Sequence, residues 1–244
     1  MAILIFTMLV FGTVGILRRY IPLSSAVIAF TRGAVGALYL ALRQICRRRP
    51  LIASLSRKSL GLLIVTGMLM GLNWMVLFEA YNYTTVSCAT LLYYMQPVLL
   101  MLGCALVFKE RLTLKNIFLA ACGFFGMVLV SGILSYGLPD AGQRKGMVLA
   151  FLAAVLYAAI VMINKRMDQA DPYEKTLVQL ASAAVVMIPY LLLTEDLSAV
   201  SFDPKGWALL LLLGIFHTGF TYSLYFGCIG SISAHTIAVF SYVD

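Results

Sequence analysis

Charge is what this chain has least of. Asp, Glu, Lys and Arg make up 11% of its 244 residues, hydrophobic residues make up 62%, and mean hydropathy is +0.96. A soluble domain keeps about a quarter of its residues charged, so a water-soluble globular fold is excluded. No G-x-x-x-x-G-K-[ST] loop is present, which argues against nucleotide hydrolysis by this chain. H-E-x-x-H, G-x-S-x-G and paired aspartates at membrane depth are missing too. The two histidines, His217 and His235, stand 18 residues apart on different apolar runs. The chain is therefore not expected to be an enzyme. Its five cysteines, Cys46, Cys88, Cys104, Cys122 and Cys228, form no C-x-x-C pair. They read as small apolar packing residues, and neither a metal nor a cofactor is expected. The opening residues lack a basic n-region and a small-residue cleavage site, so no removable signal peptide is expected. A basic face with aromatic platforms is also lacking, and the net charge of +8 does not point to nucleic acid.

What the chain does have is apolar runs of membrane-crossing length, which is about 20 residues. They cover approximately Ala2–Leu17, Ser25–Leu42, Leu60–Glu79, Val86–Phe108, Asn116–Leu134, Gly146–Ile163, Thr176–Leu193 and Trp207–Gly227, and a ninth begins near Ser233. The expected class is an all-α polytopic membrane protein, with the lipid bilayer as its solvent. Asp244 falls about 11 residues into the ninth run, near the bilayer midplane at 1.5 Å per residue. A terminus there would leave a carboxylate and several carbonyls unsatisfied in lipid. The sequence is accordingly expected to be a fragment that lacks the rest of span nine and at least one more helix.

Lys and Arg set the orientation. One side collects Arg43, Arg47, Arg48, Arg49, Arg57, Lys58, Lys109, Arg111, Lys115, Lys165, Arg166 and Lys175; the other has Arg18, Arg19, Arg144, Lys145 and Lys205. Twelve against five puts the N-terminus in the cytoplasm and the protein in the cell (plasma or inner) membrane, although Arg18-Arg19 locally argues the reverse.

Sliding the chain by 148 residues lays spans one to four over spans six to nine. Gly71-x-x-Trp74-x-x-x-Phe78 falls on Gly219-x-x-Tyr222-x-x-x-Phe226, Tyr94 on Tyr242 and Gln96 on Asp244. Residues 1–138 are thus expected to form a first five-helix repeat, and 146–244 a second that stops within its fourth helix. Five is odd, so the second repeat enters the membrane from the opposite side. Two inverted repeats, ten helices in the intact protein, are a common plan of secondary transporters with a site near the midplane.

Glu79-Ala80-Tyr81-Asn82-Tyr83-Thr84-Thr85 leads into Ala89-Thr90-Leu91-Leu92, then Gln96-Pro97, then Phe108-Lys109-Glu110-Arg111-Leu112-Thr113. With Phe11-Gly12 and Arg32, this resembles the first repeat of an EamA-type member of the drug/metabolite transporter superfamily. The resemblance implies ten helices, both termini cytoplasmic, and a central cavity lined by spans one, three, four, six, eight and nine.

Ser87, Thr90, Tyr94 and Pro97 share one face of span four. Its counterparts in span nine are His235, Ala238 and Tyr242. This face either lines a cavity or glues helices together, at roughly 1 kcal/mol or less per contact. Pro97 can bend its helix and free a carbonyl. Gly67-x-x-x-Gly71 permits close helix approach, and Trp74, with its repeat mate Tyr222, offers an aromatic wall that can also attract a cation. The candidate solute-binding residues are Trp74, Ser87, Thr90, Tyr94, Gln96, Tyr222, His235, Tyr242 and Asp244. Asp244 is the leading buried acid, and with His217 and His235 it is a candidate for proton coupling. Arg32, in mid-span, needs protein, water or an acid beside it. Glu79 reads as a solvated helix end, and Glu110 as a charge cluster or gate. Gly123-x-x-Gly126 in span five offers a face for a homodimer. The expected function is secondary transport of small-molecule solutes, as an exporter of amino acids or related metabolites working by alternating access. A non-transporting scaffold or partner subunit is the alternative, and an intramembrane enzyme comes after both.

Overall fold

The computed structural model describes all residues except 1, 19, 110–112, 115–117, 119–120, 123–124, 127–128, 130–139, 168–169, 197–202 and 242–244. The described residues form α1 (Ala2–Gly12), α2 (Val14–Arg18), α3 (Ser25–Cys46), α4 (Arg57–Tyr81), α5 (Val86–Tyr93) and α6 (Gln96–Phe108). Beyond span five come α7 (Ala141–Arg166), α8 (Pro172–Thr194), α9 (Pro204–Leu212), a π-helical segment (Leu213–Phe220), α10 (Thr221–Cys228) and α11 (Ala234–Phe240). The chain is all-helical and crosses the membrane repeatedly. Six stretches among the described residues are long and apolar enough to span it: Ser25–Cys46, Arg57–Tyr81, Cys88–Val107, Ala141–Arg166, Pro172–Thr194 and Pro204–Ser231. Most of span five, including Gly123 of its Gly123-x-x-Gly126 face, lies outside the described residues, as do Glu110, Tyr242 and Asp244.

Short polar side chains start these helices. A helix leaves its first N–H groups without partners, and an oxygen at the N-cap takes one of them up. Ser24 accepts from Val27, Ser56 from Ser59, Asp140 from Gln143, Asp171 from Tyr173 and Asp203 from Gly206, at 2.8–3.2 Å. Pro172 and Pro204 follow their caps at a position where the missing N–H costs nothing. Helix boundaries recur 148 residues apart. α2 ends at Arg18 and α7 at Arg166; α3 ends at Cys46 and α8 at Thr194; α5 starts at Val86 and α11 at Ala234. Their caps recur as well, since Thr85 accepts from Cys88 N–H and Ser233 from Thr236 N–H, each at 3.2 Å.

Two compact units emerge. The first joins the chain up to Leu72 with Ile163–Ile232, and the second joins Asn73–Met162 with the chain from Ser233. In the first, α3 packs on α8 and on the π-helical segment, and α1 packs on α10. Ile21, Ile28, Leu210 and Leu213 fill one core and Ala26, Val27 and Leu191 another. Gly67 and Gly71 make the close approach expected of them. A Cβ at 67 would stand 2.5 Å from the Gln179 carbonyl oxygen, and one at 71 would stand 2.8 Å from that of Ala183. That seam carries a buried amide bridge in which Gln179 Nε2 donates to Thr66 Oγ1 at 2.8 Å and to Asn164 Oδ1 at 2.9 Å. In the second unit, Ala80, Ala89, Leu92 and Ala150 pack together, and α11 lies on α6.

Three spans depart from the regular helices expected of them. Span one breaks between α1 and α2, where Thr13 turns its hydroxyl onto the Val10 carbonyl at 2.7 Å and competes with the helical ladder. Span four is interrupted at Tyr94 and Met95, just before Pro97, which has no N–H to donate and crowds the preceding turn. Span eight widens into the π-helical segment, where Thr218 and Thr221 donate to the carbonyls five residues back, Leu213 and Phe216, at 2.8 Å each.

Candidate functional site

In the second unit, polar groups gather near the break in span four. Thr90 and Tyr94 are half-buried on α5 and at its end, Trp74 is 5% exposed on α4, and Gln96 is 4% exposed at the start of α6. Among the described residues, none donates a hydrogen bond to the Oε1 of Gln96. Leaving a buried acceptor unpaired costs about 1–3 kcal/mol, so such an atom calls for an explanation. Asn73, beside Trp74 and fully buried, donates from Nδ2 to the Ala153 carbonyl at 2.6 Å and accepts from the Tyr93 hydroxyl at 3.3 Å. The Tyr93 ring meets Tyr157 edge-on at 6.0 Å. Asn73, Tyr93 and Tyr157 thus link α4, α5 and α7 through side chains that the sequence argument passed over. An amide inside a long apolar run was the available signal for Asn73. Ser87 and His235 lie on α5 and α11, but their side chains are outside the described residues, as are Tyr242 and Asp244 entirely.

Tyr222 belongs to the first unit and sits in a different aromatic group. Its ring lies 5.0 Å from Phe11 and stacks on Phe226 at 5.6 Å, while Phe11 also meets Tyr225 edge-on at 5.9 Å. Nearby, His217 Nε2 is 2.9 Å from Thr13 Oγ1, so the break in span one touches the π-helical segment of span eight. An open groove of about 620 Å³ runs beside this pair, walled by Phe6, Leu9, Ile16, Leu212 and Phe216. Arg32 lies half-buried on α3, which packs against the π-helical segment. Glu79 accepts from Asn82 Nδ2 at 3.2 Å near the exposed end of α4.

The start of α8 is polar. Glu174 Oε2 accepts from Ala53 N–H, Ser54 N–H and Ser54 Oγ at 3.1, 2.9 and 2.8 Å, pinning the basic loop after α3. The carboxylate sits in the first helical turn, where the helix dipole favours it. Arg43 stacks over the Tyr173 ring at 3.3 Å. A recess of about 650 Å³ opens here, lined by Asn164, Lys165, Asp171, Lys175 and Ser231 among others.

The model of the EamA-like transporter family matches residues 1–132 and 144–244. The chain belongs to that family. Among curated relatives, the chain is 24% identical over 241 residues to the uncharacterized transporter YxxF of Bacillus subtilis, covering 99% of this chain and 76% of that protein. It is 29% identical over 195 residues to the pseudopaline exporter CntI of Pseudomonas aeruginosa, covering 79% of this chain and 64% of that protein. One solved crystal structure, of a protein 17% identical, aligns with a TM-score of 0.78 over 98% of this chain and 82% of the other. At that identity the likeness is one of fold alone. This EamA-like protein is therefore a multi-pass membrane transporter and not an enzyme.

Proposed function

We propose that the chain exports small amino-acid-derived solutes from the cytoplasm by alternating access between two inverted five-helix repeats. The observation that carries the solute site is Gln96, whose buried and unpaired Oε1 stands where span four is interrupted. Discontinuous spans at membrane depth are where secondary transporters hold their cargo. An ammonium or amide N–H of a solute would complete the hydrogen bonding of Gln96, with Trp74, Thr90 and Tyr94 supplying aromatic and hydroxyl surface. Tyr222, Ser87, His235, Tyr242 and Asp244 stay in the proposal from the repeat register. The recurring helix boundaries and the paired caps Thr85 and Ser233 support the duplication. The relative named as an exporter supports the direction. The Lys and Arg distribution supports a cytoplasmic N-terminus in the plasma or inner membrane, and the polar recess with Lys165 and Lys175 suits the carboxylate of an entering solute. A homodimer through span five rests on the sequence alone.

The experiment compares metabolites released by cells expressing the wild type, Gln96→Leu or no transporter. Wild-type cells should release one or more amino-acid-like solutes. Gln96→Leu should abolish that release while thermal stability holds or rises, because the substitution removes an unpaired buried acceptor. Release unchanged by Gln96→Leu would remove Gln96 from the site. No solute difference for the wild type would favour the scaffold reading.

A further inference from the structure

We propose that His217 and Thr13 form a proton-binding site, placed where spans one and eight both leave α-helical geometry. The proposal rests on the transporter reading only for what the bound proton is used for. Thr13 occupies the break between α1 and α2, and His217 lies within the π-helical segment. π-Helical turns inside α-helices cluster at functional sites. This one is held by more than its threonines. A Cβ on Gly214 would stand 2.5 Å from Val35 Cγ1, and one on Gly219 would stand 2.7 Å from Tyr39 Cδ1, so both glycines sit backbone-close to α3.

The hydrogen-bond directions define the site. A hydroxyl has one hydrogen. Assigned to the Val10 carbonyl at 2.7 Å, it makes Thr13 Oγ1 the acceptor for His217 Nε2 at 2.9 Å. The neutral ring is thereby set as the Nε2–H tautomer, and the lone pair of Nδ1 is left facing the Leu212 carbonyl oxygen at 3.5 Å. Two acceptors are apposed. A proton arriving from solvent forms an N–H bond at Nδ1 and turns that apposition into a donor–acceptor pair; its departure breaks only that bond. Both ring nitrogens of the imidazolium then donate. The bond from Nε2 to Thr13, already present in the neutral ring, becomes charge-assisted and stronger, and Nδ1 adds one to Leu212 within span eight. Loading thus tightens the tie between the end of α1 and the π-helical segment, and unloading weakens it. The ring is 6% exposed and borders the groove walled by Phe6, Leu9, Ile16, Leu212 and Phe216.

Charged and titratable groups lie on the elements packed around the π-helical segment. α1 carries no ionisable side chain, and Arg18 is the last residue of α2. On α3, Arg32 is the charge whose field reaches the imidazole, and Tyr39 packs on Gly219. Tyr173, Glu174 and Lys175 lie in the first turn of α8 and Tyr190 near its other end, Lys205 lies in the first turn of α9, and α10 contributes Tyr222, Tyr225 and Cys228. A loaded proton puts a second positive charge near Arg32, so the two states differ in electrostatic energy as well as in hydrogen bonding.

Two histidines in the whole chain make the test direct. The full chain, ¹⁵N-labelled at histidine and held in lipid nanodiscs, is titrated with wild type, His217→Gln and Thr13→Val compared. His217 should hold the proton on Nε2 at alkaline pH, gain one at Nδ1 as the pH is lowered, and lose its tautomer preference in Thr13→Val. A Leu9→Cys probe in the groove, with the native cysteines replaced, then reports on α1 through its rate of alkylation by N-ethylmaleimide. The ratio of that rate with His217 to that with His217→Gln should follow the same titration, and the loaded fraction falls about tenfold per pH unit above the midpoint. An Nδ1–H tautomer at alkaline pH, a ring that takes up no proton down to the lowest pH at which the protein stays folded, or a flat alkylation ratio would each overturn the proposal. Should His217→Gln fail to fold, Thr13→Val takes its place as the reference. No solute enters these measurements. A missing flux therefore refutes the transporter reading and leaves the proton site standing, while a flat titration does the reverse.

Discussion

A single methyl group at Gly67 tests the seam between α4 and α8. An alanine Cβ there would stand 2.5 Å from the Gln179 carbonyl oxygen, 2.7 Å from Ser182 Cβ and 2.8 Å from Gln179 Cα. Two of these atoms are backbone, so relief requires the helices to part by roughly 1 Å, at an overpacking cost of about 1–3 kcal/mol. Parting also stretches the 2.8 Å bond from Gln179 Nε2 to Thr66 Oγ1 out of hydrogen-bond range, which forfeits roughly 0.6–1.7 kcal/mol in a membrane protein. The better helix propensity of alanine returns about 1 kcal/mol. The net is a loss of about 2 kcal/mol, which lowers Tm by about 4–8 °C for a chain of this size. The same helix supplies the control. A Cβ on Gly61 meets nothing within 4 Å, so Gly61→Ala keeps the propensity gain of about 1 kcal/mol and raises Tm by about 2–4 °C. Thermal unfolding of the purified protein in detergent, followed by tryptophan fluorescence, reads both. If Gly67→Ala and Gly61→Ala rise together, the seam does not constrain the helices and the packing argument fails.

Glu174→Gln keeps a hydrogen-bond acceptor but removes the charge that strengthens three bonds to Ala53 and Ser54. It should cost about 1–2 kcal/mol and speed tryptic cleavage at Arg47–Arg49, and unchanged cleavage would mean the loop is held by other contacts. Thr221→Val deletes the 2.8 Å bond to the Phe216 carbonyl. Amide hydrogen exchange across 213–220 should quicken about fivefold, equivalent to about 1 kcal/mol, and unchanged rates would show that the threonines follow the π-helical geometry without supporting it.

The spans were legible in the sequence because each needs only length and low polarity, and the helices from Ser25 to Cys46 and from Pro172 to Thr194 lie within a few residues of their expected limits. The GxxxG approach was legible too, since it depends on the absence of side chains at Gly67 and Gly71. The interruptions at Thr13 and through Leu213–Phe220 were hidden, because threonine hydroxyls that bond back to carbonyls look the same in sequence as threonines that do not. The amide groups of Asn73, Asn164 and Gln179 were passed over for a related reason. Each lies in an apolar run among larger and more distinctive residues, and its partner is a backbone carbonyl or a side chain on another span. Trp74 and Tyr222 share a register position, yet Trp74 neighbours Asn73 in one unit while Tyr222 stacks with Phe11 and Phe226 in the other.

On the duplication reading, the three irregular spans fall into two kinds. The helix that opens span four ends at Tyr93 and the one that opens span nine ends at Phe240, within one residue of the 148-residue offset. A helix end present in both copies belongs to whatever the copies do jointly, and holding a solute is such a task. The other two irregularities have no mate. Span one breaks at Thr13 while α7 runs unbroken through Ile160 and Val161, and span eight is π-helical where α4 is a regular helix around Gly67 and Gly71. Inverted repeats that interconvert by exchanging conformations need no asymmetry, so an irregularity confined to one copy serves something other than the exchange itself. Both unmatched irregularities meet at one hydrogen bond, that between Thr13 and His217. Restoring the missing symmetry by Thr13→Val should then remove pH sensitivity and leave solute recognition at Gln96 intact. Loss of both functions together in Thr13→Val would show that the two sites are not separable.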